Sequence, residues 1–184
     1  MEFYDTIRSR QSVRSYKPDS IPQDTLQRVL EAFQAAPSWA NVQPWELILV
    51  SDPGLKAELQ ATLSEKNPGR AAIVEAPIVA AAVGIEGKSG FYKGQASTPR
   101  GDWMFFDLGI ATEHLALAAA SEGLGTVHVG LFDFAKAGEI LGVPAGRSVV
   151  ELIPLGYPAK TPSRVPRKDL KEFVFKDRHG QGYL

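Results

Sequence analysis

The stretch from Asp102 to Glu122 limits the possible architectures more than any other part of the chain. It reads as one helix about 30 Å long. Phe105, Leu108, Ile110, Ala111, Leu115, Leu117, Ala118 and Ala119 surround it with apolar or small side chains. A helix apolar on nearly every side belongs at the centre of a fold or in a subunit interface. Asp107, Glu113 and His114 interrupt the pattern, and each is expected to be a satisfied or half-exposed polar group. Gly123-Leu124-Gly125 ends the helix, glycine being the residue that tolerates a left-handed cap.

The remaining segments frame that helix. Residues 2–9 read as a short helix. Asp19-Ser20-Ile21-Pro22 is a helix start, with a proline whose fixed φ suits a first turn. Leu26, Val29, Leu30 and Phe33 then repeat at helical spacing, and Ala35-Ala36-Pro37 ends the run because the residue before proline is driven from the helical region. Glu46–Val50 and Pro77–Val83 read as buried strands, although alanines weaken the second. Asp52-Pro53 opens a helix through Ser64, and Asn67-Pro68-Gly69 is a turn. Thr126–Gly130 reads as a strand finishing in glycine, and Asp133 as the N-cap of a helix through Leu141. Val149–Leu155 is a further strand, in which Pro154 hints at a sheet edge. The last nine residues, polar and glycine-containing, are expected to be loosely ordered.

Composition removes whole classes of chemistry. The chain has no cysteine, so disulfides, thiol nucleophiles, iron–sulfur clusters and thiolate zinc sites are excluded. Its three histidines, His114, His128 and His179, lie far apart without metal-ligand spacing, so no metal site is expected. A net charge of -1 gives no reason to expect nucleic acid as the main partner, so any basic site must be local. Redox chemistry would need a bound organic cofactor. The acidic start lacks the apolar core of a signal peptide, and no apolar run is long and uncharged enough to span a membrane. The expected location is cytoplasmic, and 184 residues are most simply one domain, 1–184.

Three stretches carry polar groups suited to a ligand. Arg8–Tyr16 holds three arginines and three serines in nine residues; guanidinium forks and hydroxyls suit a phosphate or another anion. A solvated turn between helices would use the same residues. Pro37–Trp45 is a loop fenced by prolines, with Ser38, Asn41 and Gln43 between two indoles; its stiffness could hold the polar groups ready, or it could be a plain helix-to-strand connection. Ser163–Leu170 brings a second cationic cluster. Residues 84–101, rich in glycine, lysine and serine, read as a mobile loop. They contain Gly87-Lys88-Ser89, the tail of a phosphate-binding P-loop. The first glycine of that motif would fall on Ala82, and no helix follows Ser89. Nor is Gly123–His128 a dinucleotide fingerprint, since its third glycine would fall on His128.

Taken in order, these stretches resemble the FMN-dependent nitroreductase family over nearly the whole chain. The marks are Arg10-Gln11-Ser12-Val13-Arg14, then Ala36–Trp45, Asp107–Ala111, Glu122–Thr126, and Leu155–Pro158 before Pro166-Arg167-Lys168. The resemblance implies an α+β fold, a central mostly antiparallel sheet flanked by helices with a long buried central helix. It also implies a homodimer with two FMN sites at the subunit interface. Carried over by position, Arg10 and Ser12 would contact the FMN phosphate and ribityl chain, with Gln11 nearby. Arg14 would lie near the pyrimidine edge of the flavin. Ser38, Asn41 and Gln43, in a loop with Pro37 and Trp39, would reach the partner subunit's cofactor. Backbone groups around His128, Val129, Gly130 and Leu131 would lie along the ring near N5. Arg167 and Lys168, with Arg164, would close on the phosphate.

Some members place a lysine at the pyrimidine edge; here the corresponding segment is Lys66–Arg70, and the sequence does not single out which of its residues takes the role. The 84–101 loop would cover the substrate pocket. The expected activity is electron transfer from NADPH or NADH to a small-molecule acceptor, such as a nitroaromatic or quinone, by a ping-pong mechanism. No side chain need serve as catalytic nucleophile or base. The alternatives are a different flavin reaction such as reductive dehalogenation, or a non-catalytic flavin-binding protein.

Overall fold

The computed structural model describes residues 2–160 and 162–183. Helix α1 (Phe3–Ser9) leads through the arginine-rich segment to α2 (Gln23–Gln34). Pro22 is the N-cap of α2, and no side chain caps it; the polar pair Asp19-Ser20 therefore does not act as the helix start that the sequence implied. A single turn of 3-10 helix at Trp39–Asn41 precedes strand β1 (Trp45–Val50). Helix α3 (Pro53–Ala61) begins as expected, with the Asp52 side chain accepting the Leu55 amide at 2.8 Å. Helix α4 (Arg70–Glu75), strand β2 (Ile78–Ile85) and a small hairpin, β3 (Phe91–Tyr92) with β4 (Gln95–Ala96), follow. The long helix is α5 (Met104–Ser121), and after it come β5 (Gly125–Thr126), α6 (Phe134–Leu141) and β6 (Arg147–Gly156).

The main sheet is antiparallel throughout, in the order β1-β2-β6-β5. Its two faces explain the unbroken apolar run of β2. Val79, Ala81 and Val83 face one cluster with Leu59, Ile73, Leu152 and Ala137, beneath α3, α4 and α6. Ala80 and Ala82 face the other, with Val29, Phe33, Met104, Leu108 and Leu115 of α2 and α5. A strand covered on both faces needs no polar alternation, and its alanines let α5 lie close. At Gly84 a Cβ would run into the Met104 side chain. Arg28 ties α2 to the end of α5 by donating to Glu122 at 2.8 and 2.9 Å.

Helix α5 packs against the sheet, α2 and α1. Leu108, Ala111, Leu115 and Ala119 are buried, whereas Phe105 and Phe106 near its start remain 63% and 60% exposed.

Three expectations change. Pro154 does not mark an edge, because β6 lies between β2 and β5. It falls in the gap between the β5 pairing at Leu155–Gly156 and the lone bridge from Leu152 to Val129, so its missing N–H costs no ladder bond there. The strand expected at 126–130 is only Gly125–Thr126, after which the chain leaves the ladder. The loosely ordered tail is instead a turn: Phe175 bridges Gly182, and the Lys176 amide donates to Gln181 at 2.9 Å. Leu184, the last residue of that segment, lies outside the described residues.

Candidate functional site

The arginine-rich segment is zipped edge-on to the sheet. The Val13 amide donates to Thr126 at 2.9 Å, Ser12 bridges Thr126, and Lys17 N–H donates to Tyr157. Val13 and Tyr16 are buried, Arg14 is exposed, and Arg10 is half-buried against Glu113. The Tyr16 hydroxyl donates within reach of two carbonyls, Val13 at 2.7 Å and Pro154 at 3.1 Å. Burial raises that phenol above its ordinary pKa, so it stays a donor. Gly125 makes this approach possible, because a Cβ there would sit 2.5 Å from Val13 Cγ2.

The C-terminal tail then folds over the same segment. Arg164 Nη2 donates to the Arg8 carbonyl at 2.7 Å. With its amide nitrogen turned toward them, Gln11 donates to the carbonyls of Pro162 and Ser163 at 3.2 and 3.0 Å. Between the two segments lies a cleft of about 700 Å³, lined by Arg8, Arg10, Arg14, Arg164 and Arg167 together with Gln11, Ser12 and Ser163. No carboxylate is among the described lining residues. Lys168, expected to join this group, is the exposed residue next along the tail and does not line the cleft. Arg8, to which the sequence assigned no role, does.

A second cleft of about 210 Å³ shares Arg14 with the first. Its walls are the Asn67-Pro68-Gly69 turn and the segment Val127–Leu131, which meets β6 only at the Val129–Leu152 bridge. Asn67 Nδ2 donates to the Leu131 carbonyl at 2.9 Å, holding turn and segment together. No heavy atom lies within 4 Å of a Cβ built on Gly130, so a flat ligand can approach the backbone there. In the 66–70 segment Arg70 is already engaged, donating to the carbonyls of Gln60 and Leu63.

Between the clefts and α5 runs a chain of charges that the sequence did not disclose. Arg10 Nε lies 3.4 Å from Glu113, Glu113 lies 3.3 Å from His128 Nε2, and His128 Nδ1 lies 2.7 Å from Glu151. The Glu151 contact is a hydrogen bond. The Glu113 contact is an ion pair too poorly aligned for one, leaving Nε2 buried without a bonded partner. Glu113 first, then Glu151, push the His128 pKa up to about 9, against the opposing cost of burial. Burial pushes Glu113 up, but His128 and Arg10 outweigh it and its carboxyl ends below the ordinary value. The bulge in β6 between the pairs Ala82–Glu151 and Val83–Val149 brings Val150 and Glu151 together to the α5 side.

The Pro37–Gln43 loop lines neither cleft. It is strained: Ala40, Asn41 and Gln43 have φ of 44, 55 and 46°, each costing about 1–3 kcal/mol and persisting only because the surroundings impose it. Ser38 Oγ accepts the Gln43 amide at 2.9 Å, and the Gln43 side-chain amide donates to Asn41. The fragment Gly87-Lys88-Ser89 is no phosphate cradle. Gly87 N–H donates to Asp102, the Ser89 side chain is wholly buried, and a hairpin follows rather than a helix.

The chain matches the model of the nitroreductase family over residues 7–73 and 61–157. It is 31% identical over 176 residues to an NADH dehydrogenase of Thermus thermophilus, covering 82% of this chain and 84% of that one. The crystal structure of a nitroreductase family protein from Clostridium novyi NT is similar with a TM-score of 0.79 and 31% identity, covering 100% and 97% of the two chains. The structure of an oxidized iodotyrosine deiodinase bound to FMN and 3-iodo-L-tyrosine gives 0.78 at 21% identity, covering 96% and 99%, a likeness of fold.

Proposed function

This chain belongs to the nitroreductase family, a family of flavin-dependent oxidoreductases, and from that premise we propose that it binds FMN and passes electrons from NADPH or NADH to a small-molecule acceptor. The observation that carries the proposal is the arginine cleft. Five guanidiniums from both ends of the chain line it without a lining carboxylate; Arg8 and Arg10 are paired with Asp5 at 3.8 Å and Glu113 at 3.4 Å, and the cationic excess that is left suits a multiply charged anion. A phosphate monoester carries nearly two negative charges and accepts bidentate arginine bonds. The donor set therefore fits the FMN phosphate, with Arg10, Ser12, Arg164 and Arg167 holding it and Gln11 fixing the tail beside it.

Arg14 belongs to both clefts, so its charge would stand between phosphate and ring. A cation at the pyrimidine edge favours the reduced, negatively charged form of a flavin. The open backbone at Gly130 would offer an N–H to the ring edge without a side-chain acid. When bound, FMN supplies the electron storage, taking a hydride equivalent from the nicotinamide and releasing both electrons to the acceptor. The protein's part is to bind, orient and tune.

A homodimer accounts for two features that the single chain leaves open: the exposed Phe105 and Phe106 of α5, and a strained polar loop at 37–43 that lines neither of the two clefts. In this reading Ser38, Asn41 and Gln43 meet the partner's cofactor, residues 1–184 act as one FMN-binding domain, and the enzyme works in the cytoplasm. Among the described residues no helix is long and apolar enough to cross a membrane.

Reductive dehalogenation is the second reading, motivated by the deiodinase likeness. Steady-state assays of NADH and NADPH against nitroaromatic, quinone and halogenated aromatic acceptors separate the two. Turnover of nitro or quinone compounds supports the first reading, and turnover of halogenated compounds alone supports the second. A yellow protein reduced by neither nicotinamide is a flavin carrier and overturns both.

A further inference from the structure

The acidic residue in the first turn of α5 is placed for more than capping. Asp107 is 3% exposed, and one oxygen, Oδ2, accepts two hydrogen bonds, from Ser89 Oγ at 2.6 Å and from the Trp39 amide at 3.1 Å. No cation pairs with it among the described residues, so these bonds, with the N-terminal end of the helix, compensate the burial of its charge. The two donors belong to different loops. Ser89, itself fully buried, lies within the 84–101 segment, and Trp39 opens the strained loop that continues to Gln43.

A second link runs parallel to the first. The Trp39 and Trp103 rings are 5.6 Å apart. Trp103 Nε1 donates to Thr98 at 3.0 Å, and its amide donates to the Ser89 carbonyl at 3.1 Å. Gly90, with φ of 80°, fits against Trp103 because a Cβ there would lie 2.5 Å from the indole. The 84–101 segment, expected to be mobile, is thus fastened to α5 at its middle.

We propose that Asp107 is a positioning residue that couples the 84–101 loop to the 38–43 loop. The three left-handed residues are held by the Ser38–Gln43 and Gln43–Asn41 bonds inside the loop and by the anchor where the loop begins. Asp107 is the anchor at the Trp39 end, and Ser89, bonded to the same oxygen at 2.6 Å, fixes the orientation of the carboxylate that the Trp39 amide meets. A ligand that moves the 84–101 loop shifts Ser89 with it and therefore alters the geometry of Asn41 and Gln43 without touching them. The coupling rests on the reading of 38–43 as a flavin-contacting loop.

The test uses the FMN-loaded protein and measures the rate of FMN release, well below the melting temperature of every variant. Ser89 lines neither cleft, and Ser89→Ala removes one bond to Asp107 while keeping the carboxylate. It should speed FMN release about two- to tenfold, the worth of one hydrogen bond. Asp107→Asn, which weakens both bonds, should speed it further. FMN release at the wild-type rate from Ser89→Ala, even with a lowered melting temperature, overturns the coupling and leaves the Ser89–Asp107–Trp39 bonds purely structural. Failure of the wild-type protein to retain FMN overturns the functional reading instead.

Discussion

The guanidinium of Arg164 donates to the backbone carbonyl of Arg8 at 2.7 Å, across 156 positions of the chain. That bond seats the C-terminal cations over the N-terminal ones, so the anion cleft exists only when the tail is down. Arg164→Ala removes both the latch and one of the lining charges. It should weaken FMN binding about tenfold or more, as expected for a lost hydrogen bond to a charged group, and fluorescence titration with FMN measures this. Affinity within twofold of wild type would show that the tail closes without Arg164.

Arg10 and Arg14 should separate by function. Arg10 lies in the phosphate cleft and against Glu113, whereas Arg14 also lines the cleft at 127–131. Arg10→Ala should mainly weaken FMN affinity, by about 10- to 100-fold. Arg14→Ala should also lower the flavin reduction potential, because a cation stabilising the reduced form is lost. Redox titration against reference dyes distinguishes the two variants, and a potential unchanged in Arg14→Ala would contradict the division.

His128 makes stability depend on alkaline pH. Its folded pKa of about 9 lies above the ordinary 6.5, so the stabilisation is complete below about pH 6.5 and is lost as pH rises through 9. The facing groups are Glu113 from α5 and Glu151 from β6, with Arg10 behind Glu113. Discounted for partial exposure, the loss is of order 1–2 kcal/mol. Thermal melts at pH 6.5 and 9.5 should show a smaller fall in His128→Gln than in the wild type. Equal falls would mean that the histidine is not charged in the fold.

Gly125→Ala should damage the anion site from a distance. The added methyl would press on Val13 at 2.5 Å and push the arginine-rich segment from β5, an overpacking cost of about 1–3 kcal/mol. FMN affinity should fall together with the melting temperature, although Gly125 does not line the five-arginine cleft. Calorimetry and FMN titration on the one variant check both.

Much of this was legible in the chain because its signals are local. The apolar girdle of 102–122 gave α5, and Asp52 and Asp133 act as the caps their positions suggested. The two cationic clusters could be seen, but not that Arg164 reaches Arg8. Helix α4 escaped notice because six residues, Arg70–Glu75, following Pro68-Gly69 are too short to show a period. Pro154 misled because a proline requires only that its nitrogen face no partner strand, which is met here inside the sheet because β5 has already ended. The Arg10–Glu113–His128–Glu151 chain and the Ser89–Asp107–Trp39 bridge join residues from separate elements. Such pairings are set by the tertiary fold and leave no pattern in residue spacing.

The decisive measurement is the absorption spectrum of the purified protein, incubated with FMN, desalted, and then treated anaerobically with NADPH or NADH. Retained flavin bands that bleach on addition of a nicotinamide are the predicted result. A protein that emerges colourless after incubation with FMN would contradict the assignment of the five-arginine cleft to a flavin phosphate.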